Sequence, residues 1–435
     1  MVVIWAALRL QAPGQRGVIR ETTHSTRLKR DAPPSTPAVS RPYRLAILSS
    51  HVIQYAAPLY QHLATQEDID LTVYYCSSQG LDEYTDSGFG GQRVQWDIPL
   101  LEGYRSEFLP NLRAVSLVDG FWSLINPAIV RELRRNRYDA VWIHGHNYAT
   151  SVLAYMTARM NGTPVFTRCE THLGLSRSRL KRMIRKPLLG WFYRQCDACL
   201  AIGSANREFY QFHGVPASAI FDVPYAVDNA RFTALADLGR AGATEMKRAL
   251  GIQPALPVVL FASKFILRKH PMDLLRTKEV LESKGVPCVF LMVGAGSEEP
   301  ALREYCAQRR LKDVHFLGFR NQRELPALYA LSDVFVLPSE NEPWGLIINE
   351  VMCAGLAIVA AEGIGAVRDL VKDGENGFLF PPRNVEALAS ALAVLVSDRE
   401  RCAAMGRRSV EIIGEWSYAS CVRGVRSALN ALAEQ

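Results

Sequence analysis

The segment Ser339-Glu-Asn-Glu-Pro-Trp-Gly-Leu-Ile-Ile-Asn-Glu350 gathers the side chains best suited to chemistry. Two carboxylates, Glu342 and Glu350, bracket seven residues that include Pro343 and Gly345. The run 334–337 before them reads as a strand, and a helix is expected to begin near Gly345. Amides of Gly345, Leu346 and Ile347 would point out of that helix start and offer an anion site suited to phosphate. Glycine at 345 removes a side chain that would block close backbone approach. Glu350 falls five residues into the helix, roughly 7–8 Å along its axis. Two acceptors at that separation can hold hydroxyls on both sides of a diphosphate.

A second element lies upstream, in Ser263-Lys-Phe-Ile-Leu-Arg-Lys-His-Pro271. Adjacent Arg268 and Lys269, beside a helix expected over about 272–283, would neutralise a pyrophosphate and stabilise a departing nucleoside diphosphate. Val293-Gly-Ala-Gly-Ser-Glu298 is a glycine turn, which alone signals little more than a turn. His144-Gly-His146 follows the strand-like run 141–143, and strand ends are where such sheets place ligands. A histidine there can orient or deprotonate a hydroxyl, with His146 favoured over His144. Glu170 and His172, after the next strand, are weaker candidates of the same kind. Cys196-Asp-Ala-Cys199 has the spacing of a redox or zinc pair, but no second pair exists and it runs into a strand. The nine cysteines, odd in number and set in apolar sequence, read as buried thiols of a reducing compartment.

Something must position these groups, and the pattern of apolar runs says what. Strand-like runs at 43–48, 69–75, 140–143, 164–167 and 198–202 alternate with helical patterns, which signals a doubly wound α/β sheet. The alternation restarts at 257–261, 288–293, 314–317, 334–337 and 356–360. Two Rossmann-like domains facing a central cleft are therefore expected, over 42–228 and 256–412. The stretch from 229 to about 254 reads as a polar, Gly- and Ala-containing connection. A last helix within 413–435 has no strand after it and is free to cross back to the N-terminal domain. Residues 1–41, rich in Arg, Pro, Ser and Thr, read as a disordered basic arm.

The net charge of +7 is local. Residues 1–41 contribute +5 and the segment 177–194 another +7, leaving −5 on everything else. That distribution argues against nucleic acid as a partner. The segment 177–194 reads as an amphipathic helix with Leu180, Met183, Ile184 and Leu188 on one face, suited to an anionic membrane surface. No window approaches the about 18–20 apolar residues of a spanning helix. The run 2–8 is too short for a secretory core, so a cytoplasmic protein is expected, peripheral on the inner face of the membrane.

The order of the motifs carries more than any one of them. Arg268-Lys269, then Gly294-Ala-Gly296, Leu317-Gly-Phe319, Ser332-Asp-Val-Phe-Val-Leu-Pro-Ser339 and the paired glutamates resemble the donor domain of the retaining glycosyltransferases of family 4. Gly363-Ile-Gly365, Asp373-Gly-Glu-Asn-Gly-Phe-Leu-Phe380 and Val223-Pro-Tyr-Ala-Val-Asp228 are similar to that family's later and interdomain segments. The resemblance implies the GT-B fold and a hexosyltransferase-type enzyme of polysaccharide biosynthesis, using a nucleotide sugar as co-substrate and no metal. By the same resemblance, Arg268, Lys269, Leu346 and Ile347 would contact the donor diphosphate. Glu342 would act catalytically at the donor sugar, with Gly345 and Leu346 beside it. Glu350 would hold the ribose, and Gly294, Phe319 and Arg320 would lie near the base. The acceptor would be a glycan, a lipid-linked or a small-molecule hydroxyl. Two departures stand out: Trp344 replaces the usual Phe, and the loop 49–58 lacks the usual glycines. The alternatives are a nucleotide-sugar epimerase of GT-B fold, or a non-catalytic sugar-nucleotide-binding protein.

Overall fold

The computed structural model describes residues 41–434 except 114–117 and 176–178, and omits the side chains of Ser87 and 179–185. The basic arm thus lies outside the described residues apart from Arg41, whose guanidinium grips both oxygens of Asp139 at 2.7 and 2.8 Å. Arg177 and the side chains of 179–185, on which the membrane expectation mainly rests, are likewise outside them.

In chain order, the first part comprises β1 (Tyr43–Ser49), α1 (Ala57–Ala64), β2 (Ile69–Tyr75), β3 (Tyr84–Asp86), β4 (Gln92–Val94), β5 (Arg105–Phe108), α2 (Ala128–Asn136), β6 (Ala140–Ile143), α3 (Ala149–Met160), β7 (Val165–Thr167), α4 (Arg179–Arg194), β8 (Ala198–Ala201), α5 (Ser204–Phe212) and β9 (Ile220–Asp222). Seven of these strands form a parallel sheet in the order β5-β2-β1-β6-β7-β8-β9, and β3 and β4 pair as a small antiparallel hairpin. The second part follows α6 (Asn229–Ala249): β10 (Val258–Ala262), α7 (Pro271–Ser283), β11 (Val289–Val293), α8 (Glu299–Arg309), β12 (Val314–Gly318), α9 (Leu325–Ala330), β13 (Val334–Leu337), α10 (Ile347–Cys353), β14 (Ala357–Ala361), α11 (Val367–Leu370), β15 (Gly377–Phe380), α12 (Val385–Ser397), α13 (Arg399–Gly414) and α14 (Tyr418–Ala433). Its sheet is also parallel, ordered β12-β11-β10-β13-β14-β15.

Central strands such as β10 (Val-Val-Leu-Phe-Ala) and β11 are buried at every position. That is the continuous apolar run expected of strands covered by helices on both faces. Short polar strands escaped the sequence reading. β5 (Arg-Ser-Glu-Phe) and β9 (Ile-Phe-Asp) pair at the two edges of their sheet, where one side is wet and no apolar run is required.

The connection expected over 229–254 is instead largely the 21-residue helix α6. Asp228 caps it by accepting from the Arg231 amide at 3.0 Å, and Phe232 and Ala236 bury its inner face. Gly239, which suggests a loop in the sequence, lies where an added Cβ would sit 2.9 Å from the Ala327 backbone. The glycine lets α6 and α9 approach rather than breaking the helix.

The terminal helix returns to the first sheet. Cys421, Val422, Val425, Ala428 and Leu429 of α14 are buried in one cluster with Leu45, Ile47, Leu71 and Val73 of β1 and β2. Arg426 pairs with both oxygens of Asp68 at 2.5 and 2.7 Å, and Tyr43 donates to Asn430 at 3.1 Å. Among the described residues, no helix is long and apolar enough to cross a membrane. The Cys196 and Cys199 thiols are buried on carbonyls of Phe192 and Tyr193, and burial pushes both well above the ordinary thiol range. This fits the structural reading of that pair. Since Leu429 is fully buried under β1 and β2, Leu429→Ala is expected to cost about 2–5 kcal/mol in urea unfolding; a smaller loss would show that α14 is not part of that core.

Candidate active site

In open parallel sheets a crevice opens where the strand order reverses, beyond the strand C-termini. In the second sheet that point lies between β10 and β13. The loop after β10 carries Arg268 and Lys269 on a single 3-10 turn, and the loop after β13 carries Glu342. The two motifs therefore meet because the topology forces their loops together. Arg268 Nη1 lies 3.0 Å from Glu342 Oε2, and Lys269 Nζ contacts the other oxygen, Oε1. Burial alone would raise the Glu342 carboxyl, but Lys269 and then Arg268 outweigh it and hold the group below the usual carboxylate range. Burial pushes the Lys269 ammonium down, while Glu342 pulls it back up. Arg268 also donates to Asn341 O at 2.8 Å.

The backbone of Glu342 is pinned from two sides. Gly365 N donates to its carbonyl at 3.1 Å, and His172 Nε2 lies 2.9 Å from the same oxygen. Gly174 N donates to His172 Nδ1 at 3.2 Å, so Nε2 carries the proton and donates to Glu342 O. Gly363 and Gly365 are explained here too: added Cβ atoms would lie 2.2 Å from Glu340 O and 2.1 Å from Pro343 O.

Gly345 adopts φ 95°, a left-handed conformation incompatible with a helical residue. The helix expected near Gly345 therefore starts two residues later, at Ile347, with Leu346 as N-cap. Ile348 N donates to Gly345 O at 2.9 Å; the amides of Gly345, Leu346 and Ile347 precede that bond. Glu350 is buried on α10 and accepts from the Tyr329 hydroxyl at 2.7 Å. It lines a cavity of about 180 Å³ with Leu346, Gln322, Arg231, Tyr55 and Ile98. The two glutamates thus serve different compartments, Glu342 the cations and Glu350 this cavity. A larger cavity of about 670 Å³ lies elsewhere, bordered by Ser204, Arg207, Asp222 and Trp416.

On the facing side, the first sheet reverses between β1 and β6, whose ends lead to the loop 50–56 and to His144-Gly-His146. His144 Nε2 lies 3.1 Å from the Tyr60 hydroxyl. Burial, and then the Arg168 guanidinium, push His144 down to about 3, which keeps it neutral near pH 7. It borders a small cavity of about 40 Å³ with Arg168 and Glu170. Glu170 accepts from the Tyr225 hydroxyl at 2.6 Å. His146, the favoured candidate, packs instead against the rings of Phe192 and Tyr193, at 5.1 and 6.1 Å between centroids. Phe319 is half-buried, and Arg320 is exposed on Glu324 at 2.9 Å. Gly294 permits a close approach: an added Cβ would lie 1.9 Å from Ser263 O.

Several contacts were not foreseen from sequence, although Trp344 itself was noted there as a departure from the usual Phe. Trp344 donates to Asn349 Oδ1 at 2.9 Å, and Asn349 donates to Tyr225 O at 2.8 Å, tying the Glu342 loop to the connection between the sheets. Gly203 leaves room for the Trp344 ring, 2.5 Å from where its Cβ would be. Lys264, next to the first strand of the second sheet, joins the cations that depress Lys269. Its position in the same loop as Arg268 was the available signal.

Comparison with known proteins follows the two sheets. The model for "Glycosyltransferase Family 4" matches residues 52–231, and that for "Glycosyl transferases group 1" matches 243–411. The alpha-D-kanosaminyltransferase of Streptomyces kanamyceticus is 25% identical over 67% of this chain and 79% of that protein. The UDP-Gal:alpha-D-GlcNAc-diphosphoundecaprenol alpha-1,3-galactosyltransferase of Escherichia coli is 27% identical over 78% of this chain and 82% of that protein. Among solved structures, Anabaena Alr3699/HepE in complex with UDP superimposes with a TM-score of 0.67 at 19% identity, over 89% of this chain and 99% of that one. The fold is shared, as two Rossmann-like domains.

The buried Glu350 gives a pH signature. Burial pushes its carboxyl above the ordinary range, against the pull of Tyr329, Gln322 and Arg231. A carboxyl raised in the folded state stabilises fully below its unfolded value, and that contribution is lost as pH rises through the folded value. Glu350→Gln, neutral throughout, is therefore expected to gain melting temperature relative to the unsubstituted protein between about pH 4 and pH 7. An unchanged difference across that window would show that Glu350 is not raised.

Proposed function

The chain belongs to the GT-B glycosyltransferases of group 1 and family 4, and from that premise we propose that it moves a hexose from a nucleotide sugar to an acceptor hydroxyl with retention of configuration. The observation that carries this reading is the Glu342 carboxylate shared by Arg268 and Lys269 at the reversal point of the second sheet. A donor diphosphate competes for those two cations. Its arrival frees Glu342 to accept hydrogen bonds from sugar hydroxyls beside Gly345 and Leu346. The amides of Leu346 and Ile347 add donors to the diphosphate, and Glu350, at the far end, takes the ribose hydroxyls.

In the transfer step the bond from the anomeric carbon to the diphosphate oxygen breaks, with its electron pair going to that oxygen. Arg268 and Lys269 stabilise the charge that develops there. The acceptor hydroxyl attacks the same face, and its proton passes to the departing diphosphate oxygen. Neutral His144, on the acceptor side, is suited to accept a hydrogen bond from that hydroxyl. The same-face route needs no enzyme nucleophile behind the sugar. The acceptor class includes glycans, lipid-linked and small-molecule hydroxyls. Donor use in the relatives supports the reading: the Escherichia coli enzyme is named for UDP-Gal, and the Anabaena structure is a complex with UDP.

A second observation favours work at a membrane surface on the cytoplasmic side. Leu188 and Trp191, one turn apart on α4, are 56% and 44% exposed, next to exposed Lys186. An apolar pair beside cations suits an anionic leaflet. Leu188→Asp with Trp191→Asp is expected to abolish co-sedimentation with vesicles of phosphatidylglycerol and phosphatidylcholine; unchanged pelleting sinks that part of the reading.

The central test has two steps. A thermal-shift panel of nucleotides and nucleotide sugars identifies the donor, and acceptor screening follows. Glu342→Gln is expected to lower kcat by about a hundredfold or more with the circular dichroism spectrum unchanged. Full activity would remove Glu342 from the mechanism. A rearranged nucleotide sugar formed without acceptor would favour an epimerase instead, and binding without turnover a non-catalytic protein.

A further inference from the structure

The β3–β4 hairpin of the first domain does not stay with that domain. Asp86, at the end of β3, holds Lys264 of the donor-side loop with both oxygens, at 3.0 and 2.9 Å. The Phe89 ring meets the Phe319 ring edge-on, with centroids 4.9 Å apart, and Lys264 Nζ sits 4.7 Å from the Phe89 centroid. Gly90, at φ 68°, rests on Gly296 of the glycine turn, 3.5 Å from where its Cβ would be. Gly88 lies against the same lysine: an added Cβ would lie 2.7 Å from Lys264 Nζ, so Lys264 would have to shift. Further along, Asn321 donates to Gln95 O at 2.5 Å and Arg323 N to Asp97 at 3.1 Å. Ile98 then lines the cavity that holds Glu350 and Gln322.

One arm, 84–98, therefore runs from the carboxylate proposed for ribose to the aromatic ring proposed for the base. Its contacts are made with the loops that flank that path, through an ion pair, a ring pair and two hydrogen bonds. We propose that this arm is a lid on the nucleoside end of the donor groove, and that Phe89 is a specificity-determining wall for a planar base. This rests on the nucleotide-sugar reading of the same groove and adds a residue from the opposite domain to it. A lid contributed by the other domain makes base recognition conditional on closure. The ligand class it favours is a nucleotide over a bare diphosphate.

The test is calorimetric titration of UDP, ADP, GDP and inorganic pyrophosphate into the intact protein and into Phe89→Ala. The best nucleotide is expected to weaken roughly 5- to 100-fold, the range for losing one aromatic contact to a base, while pyrophosphate is unchanged. Phe89→Leu, which keeps apolar bulk, should show the same selective loss and decides the matter if the alanine variant does not fold. Equal nucleotide affinity in the variants overturns the lid and leaves the donor reading standing. Tighter binding also overturns it, because the ring would then occupy the base's place. Failure of the unsubstituted protein to bind any nucleotide removes both.

Discussion

A buried carboxylate shared by two cations is the constraint around which this groove is built. Glu342 cannot be desolvated alone, and Lys269 cannot either; each is tolerable only because the other is there. The pairing fixes the distance between two loops that belong to different strands. It also holds two cations, Arg268 and Lys269, at a defined spacing. On the proposed reading, an anionic donor would not have to assemble the cations and would have only to displace one carboxylate from them. Side chains held before the ligand arrives lose little freedom on binding, which is the basis of preorganisation.

That carboxylate is in turn located by backbone contacts from both domains. Gly365 N and His172 Nε2 converge on the Glu342 carbonyl, and Trp344 and Asn349 fasten the following turn to Tyr225. His172 belongs to the first domain and Glu342 to the second. The loop bearing the central carboxylate is therefore set partly by the relative placement of the two sheets. Trp344 in place of a smaller aromatic ring fits this role, since its indole N–H supplies the bond to Asn349.

Much of this arrangement is legible in the residues. Buried parallel strands announce themselves as apolar runs, so every central strand near both reversal points is visible, and motif order then places Arg268 and Lys269 on one loop, Glu342 on the loop facing it and Glu350 on the helix that follows. What escaped has physical reasons. Edge strands β5 and β9 need only one apolar face, and the hairpin β3–β4 is too short to show a period. Helix α6 carries Gly239 for helix packing, which in sequence looks like a breaker. The start of α10 was displaced because a positive φ at Gly345 is invisible without coordinates. The contrast between His144 and His146 was equally hidden, because neighbours such as Tyr60 and Phe192 are distant in sequence.

The return of α14 to the first sheet has a mechanical meaning. The backbone passes between the sheets twice, once near Val223–Asp228 and again near Trp416–Tyr418, where Asn229 donates to Ile413 O at 2.9 Å. A body attached by one strand can swing and twist in every direction. A body attached at two neighbouring points behaves as a door on two pins, and the line through the pins becomes its axis. A groove that opened about such an axis would do so along a single angular coordinate, and each closure would return the arm 84–98 to the same place on the opposite face.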